Sequence, residues 1–176
     1  MESIPGIKEA LLARLADYDC SPTMRESNSP GFKAAMEEAE AGAKEGGVPI
    51  GAALVAADGT ILGRGHNMRI QKSSPTIHQQ AETSAFENAG RLPASAYKGA
   101  TVYTSLSPCI YCTGLCLLYG VKRVVIGENK TFVGGEDLLE KNGVKVVVLD
   151  NARGKELMAK FIKENPGEWN EDIGKE

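Results

Sequence analysis

The chain has 176 residues, 42% of them apolar and 24% charged, and a net charge of −3, with a pI of about 5.5. That length suits one domain with a sizeable core. No Lys/Arg-rich run is present, so a nucleic-acid partner is not expected and a small-molecule partner is. No stretch approaches the ~18–20 apolar residues that span a bilayer. The opening MESIPGIKEALLARL lacks a secretory pattern, so the expected location is cytoplasmic.

In chain order, residues 1–31 read as an extension to a main domain over residues 32–176. Ile7, Leu11, Leu12 and Leu15 recur at helical spacing, and Asp19 to Pro30 has the composition of a linker. Phe32, Ala35, Met36 and Ala39 mark a helix that ends at Gly46-Gly47, and Ile50 to Ala56 is a short apolar strand. Asp58-Gly59 is a hairpin signal before a second strand from Ile61 to Gly65.

A helix from Glu82 to Gly90, a strand from Ala100 to Ser105 and a helix from Pro108 to Gly120 follow. Then come a strand from Lys122 to Gly127, a helix from Gly135 to Asn142, a strand from Val144 to Leu149, a helix from Lys155 to Glu164, and a tail holding Trp169. Strands separated by helices imply crossovers. The expected fold is a three-layer α/β/α sandwich around a mixed, mostly parallel five-stranded sheet that begins with one antiparallel hairpin.

Three of the four cysteines, Cys109, Cys112 and Cys116, lie within eight positions of one another. Pro108 belongs in a first helical turn, where its missing N–H costs nothing, so Cys109 and Cys112 fall at a helix N-terminus. The helix dipole favours thiolates there, and thiolates bind zinc. One CxxC could equally be a redox pair or half of a structural zinc site, but no second CxxC is present. Cys116, one turn on, reads as a buried apolar side chain.

The chain has two histidines, His66 and His78. His78 precedes the Glu82 helix, which itself precedes the strand leading into the cysteine pair. Zinc deaminases combine H-x-E with a later P-C-x-x-C. In them zinc lowers the pKa of its water toward ~7, and a glutamate that is not a ligand shuttles the proton.

The assembled segments resemble the fungal cytosine deaminases, of the cytidine/deoxycytidylate deaminase superfamily. The match runs from about Phe32 to Gly174. It is carried by Glu45 to Gly51, Gly63 to Arg69, Glu87 to Leu92, Leu106 to Cys109 with Cys112-Thr113-Gly114, Gly127-Glu128-Asn129 and Trp169 to Gly174. The resemblance implies a cytoplasmic homodimer in pyrimidine salvage, with one zinc per chain, that hydrolyses cytosine to uracil and ammonia. His78, Cys109 and Cys112 would hold the metal and Glu82 would move the proton. Asn67, Ala81, Ser107 and Asp172 would contact the base, and Phe132, Trp169 and Ile173 would close over it.

The chain departs from this pattern between two anchors. Counted from Gln71-Lys72, His78 stands at the ligand position. Counted back from Glu87-Asn88, Glu82 stands at the catalytic position and Gln80 replaces the histidine. Two added residues rotate a helix by ~200°, so both registers cannot persist. Either the helix keeps its packed downstream register and His78 reaches back from a loop or Gln80 faces the metal, or the helix runs through and places His78 and Glu82 on one face. The last arrangement would close the coordination shell. The alternatives to a cytosine deaminase are therefore a catalytically impaired relative with an altered metal site, and a deaminase for a nucleoside or tRNA adenosine.

Overall fold

A computed structural model describes residues 22–74 and 80–175. The amphipathic helix expected near Ile7–Leu15, His78 and Gln79 lie outside the described residues. Eight helices and five strands follow in the order α1 (Pro22–Ser27), α2 (Pro30–Lys44), β1 (Gly51–Val55), β2 (Ile61–His66), α3 (Ala81–Ala89), α4 (Ala94–Tyr97), β3 (Thr101–Leu106), α5 (Ile110–Leu118), β4 (Arg123–Glu128), α6 (Glu136–Lys141), β5 (Lys145–Val148), α7 (Ala152–Glu164) and α8 (Pro166–Asp172) among the described residues. None of these helices is long and apolar enough to cross a membrane.

The sheet order is β2-β1-β3-β4-β5. β1 lies between β2 and β3 and runs antiparallel to both, while β3–β4 and β4–β5 are parallel. The sheet is therefore mixed as expected, with four strands pointing one way and β1 reversed. The single hairpin read from Asp58-Gly59 gives two antiparallel pairings because the crossover through α3 carries the chain over β1 to its far side.

Alternation along the strands divides the core between two faces. Ala53, Val55, Tyr103 and Val125 pack against Phe32, Ala34 and Ala35 of α2. Leu54, Val102, Val124 and Ile126 pack against Phe86, Cys116 and Leu139 of α3, α5 and α6. α7 adds Met158 and Phe161 to a third cluster with Trp169 of α8. Helices thus cover both faces of the sheet, and Cys116 is wholly buried among them.

Three short helices differ from the sequence reading. The stretch from Pro22 to Ser27, with a linker's composition, forms α1. It docks on the body: Tyr103 Oη donates to Glu26 Oε2 at 3.2 Å, and Arg123 pairs with Glu26. Partners more than seventy residues away make this turn helical, and no local periodicity signals it. The Ser29 hydroxyl then caps α2 by accepting from Phe32 N at 3.2 Å, with Pro30 at its first turn, so α2 begins ahead of the expected boundary at residue 32. Ala94–Tyr97 and the Trp169 tail are also helical.

Gly63 fixes how α3 sits. A Cβ there would stand 2.2 Å from Ala85 O and 2.5 Å from Ala89 N, so the α3 backbone rests directly on β2. Gly63→Ala is expected to destabilise the protein by about 1–3 kcal/mol through overpacking. Urea unfolding followed by circular dichroism measures this, and an unchanged midpoint would mean that α3 is not held by this contact.

Candidate active site

The carboxyl ends of β2, β3 and β4 and the start of β1 open on the same edge of the sheet, where open α/β folds gather ligand sites. A cavity of about 340 Å3 lies there, lined among others by Ile50, Asn67, Gln80, Glu82, Leu106 and Cys109. Ala81, Ser107, Phe132, Trp169, Asp172 and Ile173 line it as well. Every described residue expected at the site therefore lines this cavity except Cys112, which is buried behind Cys109.

Two helix N-termini meet at its floor. Cys109 is the N-cap of α5, and its sulfur accepts from Cys112 N at 3.5 Å. Gln80 is the N-cap of α3 but does not cap it with its side chain. Its Oε1 instead lies 2.9 Å from Cys109 Sγ and 3.0 Å from Cys112 Sγ. Helix α3 thus begins at Ala81, with Gln80 in an extended conformation ahead of it. Gln80 is the described residue that faces the thiol pair.

The two thiols are tied electrostatically. A hydrogen bond from the Cys112 thiol holds Cys109 below the usual thiol range. The same bond, with burial, pushes Cys112 far up. Among the described residues no three His, Cys, Asp or Glu side chains form a complete metal cluster. The donor chemistry nevertheless fits zinc: two sulfurs converge on one point, Gln80 Oε1, at a helix start.

Glu82 is almost wholly buried in the first turn of α3, and Thr104 Oγ1 of β3 donates to its Oε1 at 2.8 Å. Burial pushes the Glu82 carboxyl up, against the pull of hydrogen bonds that include Thr104 and Cys112. A carboxyl held up in this way stabilises the fold below its unfolded value near 4.5, and that stability is lost as pH rises through the folded value. With a chelator present, Glu82→Gln is therefore expected to raise the urea midpoint at pH 7, with the gain vanishing by pH 4. Equal midpoints at pH 7 would contradict the burial cost.

The roof is aromatic. Phe132 and Trp169 meet edge to face, with ring centroids 6.3 Å apart. The loop carrying Phe132 is pinned at both ends. Glu128 Oε2 accepts from Lys130 N at 2.6 Å and Thr131 N at 3.0 Å, and Ser107 Oγ accepts from Gly134 N at 2.9 Å. A Cβ on Gly134 would fall 1.9 Å from Pro108 O, so only glycine permits this approach.

On the opposite wall Asn67 Nδ2 donates to Asp172 Oδ2 at 3.4 Å, and Asn67 Oδ1 accepts from Arg69 N at 3.0 Å. Arg69 Nη1 pairs with Asp172 Oδ1 and donates to Asp172 O at 3.0 Å. Burial raises the Asp172 carboxyl, and the Arg69 charge opposes it.

Thr104 and Arg69 carry no site role in the sequence reading, and Gln80 enters it only as one outcome of the two added residues. Arg69 and Gln80 lie within two residues of expected site residues, a usable signal. Thr104 is marked only by being a polar side chain in an apolar strand.

The family model of the cytidine and deoxycytidylate deaminase zinc-binding region matches residues 25–128. A cytosine deaminase from Candida albicans is 56% identical over 144 residues, covering 82% of this chain and 95% of that protein. A tRNA-specific adenosine deaminase from Bacillus subtilis is 38% identical over 97 residues, covering 54% and 58%. Among solved structures, a guanine deaminase from Nitrosomonas europaea superposes with a TM-score of 0.59 at 19% identity, covering 76% and 84%, a likeness of fold. Paired helix starts on a mixed five-stranded sheet, the P-C-x-x-C cysteines and these matches together make the chain a member of the cytidine and deoxycytidylate deaminase family.

Proposed function

We propose that this chain hydrolyses a free nucleobase amine, converting cytosine and water to uracil and ammonia. The observation that carries the reading is the cavity itself, with an amide and a carboxylate on one wall and a buried carboxyl beside two thiols on the floor. At about 340 Å3 it lies near the lower end of the ~300–1,000 Å3 range of ligand pockets, suited to a small flat ring. The 56% identity to a protein named cytosine deaminase supports the same substrate.

Cys109 and Cys112 would hold zinc, with a further donor from the segment His78 to Gln80. When bound, zinc supplies Lewis-acid activation of a water near neutral pH. Asn67 bonds the pyrimidine edge and Asp172 accepts from the exocyclic amine. Ala81 and Ser107 border the ring, while Phe132, Trp169 and Ile173 exclude water above it. Glu82 takes a proton from the attacking water and delivers it to the ring nitrogen, then takes the second proton from the hydroxyl now on the ring carbon and delivers it to the amine, which leaves as ammonia. Burial raises its pKa, the direction a carboxyl needs if it is to give as well as take a proton.

The reading includes one zinc per chain, a homodimer, and a cytoplasmic place in pyrimidine salvage. Leu118 of α5 supports the dimer, since this large apolar side chain exposes 79% of its surface.

Glu82→Ala is expected to lower kcat for cytosine by ~10²–10⁴-fold, the usual worth of a general acid-base group, while leaving zinc bound. Absence of zinc from the native protein, or zinc with no turnover of cytosine, would overturn the proposal.

A second reading rests on Gln80. If its amide oxygen supplies the third donor, zinc is held weakly, because a neutral amide is a poor partner for zinc beside two thiolates. Chelator competition on His78→Ala and Gln80→Ala separates the two. Zinc lost from His78→Ala alone supports an imidazole ligand; zinc lost from Gln80→Ala alone supports the amide and a metal-poor relative.

A further inference from the structure

Arg69 stands outside the chemistry, yet it touches both parts of the wall that would read the substrate. Its backbone N–H donates to Asn67 Oδ1 at 3.0 Å, fixing which way that amide faces. Its guanidinium pairs with Asp172 Oδ1 and also donates to Asp172 O at 3.0 Å. Asp172 Oδ2 is left toward Asn67 Nδ2 and the cavity.

Asp172 is the last residue of α8, and its side chain is 8% exposed; that of Arg69 is 20% exposed. The pair is therefore largely screened from solvent ions, and one guanidinium engages both the carboxylate and the helix-end carbonyl. α8 also carries Trp169, and Ile173 caps it. A tie at Asp172 thus acts on the roof as well as the wall.

We propose that Arg69 is a positioning residue: a latch that fastens the C-terminal helix over the cavity and aims the Asp172 carboxylate at the substrate amine. The proposal rests on reading the cavity as a nucleobase site. Without the guanidinium, the buried carboxylate of Asp172 would lose its partner charge and the helix end would lose a donor. Lysine, a point charge without the planar fork, replaces only part of this.

Trp169 is the chain's single tryptophan, so its fluorescence reports the roof directly. The test compares native protein, Arg69→Gln and Arg69→Lys, with matching far-ultraviolet circular dichroism as the check on folding. Arg69→Gln is expected to raise the acrylamide quenching constant of Trp169 at least twofold. It is also expected to raise KM for cytosine tenfold or more while kcat stays within threefold. Arg69→Lys should recover part of both changes, and serves alone if the glutamine variant fails to fold.

Native quenching and KM in Arg69→Gln would overturn the latch, as would a fall in kcat with KM unchanged. If native protein does not turn over cytosine, the nucleobase reading fails, while the quenching comparison still decides whether Arg69 holds the roof.

Discussion

The site depends on how closely α3 lies against β2. Gly63 lets the helix backbone touch the strand, and Ala81, Ala85 and Phe86 bury the helix against the sheet. That contact fixes the helix register. The register places Glu82 under Thr104 and aims Gln80 at the cysteine pair. Two additional residues upstream cannot move this block without losing its packing, so the change falls ahead of Ala81. Core packing thus holds Glu82 in place in the first turn of α3, and the two added residues are taken up ahead of it.

The other wall obeys a similar rule. α5 begins where β3 ends, so Cys109 and Cys112 meet the start of α3 across the sheet edge. Thiols at a helix start and a carboxyl in the first turn of a second helix both lie in positive ends of helix dipoles. Burial opposes this for Glu82 and keeps its proton available. The site therefore sets Cys109, held below the usual thiol range, beside a carboxyl that burial holds up.

Much of this was legible in the sequence. Alternating apolar strands, the Asp58-Gly59 turn and the glycines after the helices define the order of the main elements, because each signal is local. The P-C-x-x-C cysteines and the Trp169–Gly174 tail point to the same cavity that the fold assembles. What sequence could not supply is set by distant partners. α1 is helical against Tyr103 and Arg123, and Arg69 gains its role only when Asp172 arrives from 103 residues away. The reversed strand β1 likewise follows from a crossover that no local pattern encodes. Gln80 beside the thiols was readable as one of several outcomes of the insertion, and core packing around α3 fixes the helix start that aims it there.

The central claim is that Cys109 and Cys112 hold a zinc ion beside Glu82. The zinc K-edge X-ray absorption spectrum of the purified protein tests it most directly. One zinc per chain is expected, with two sulfur neighbours at about 2.3 Å and the remaining neighbours nitrogen or oxygen. A protein isolated without zinc under metal-replete conditions, or a zinc shell without sulfur, would contradict it.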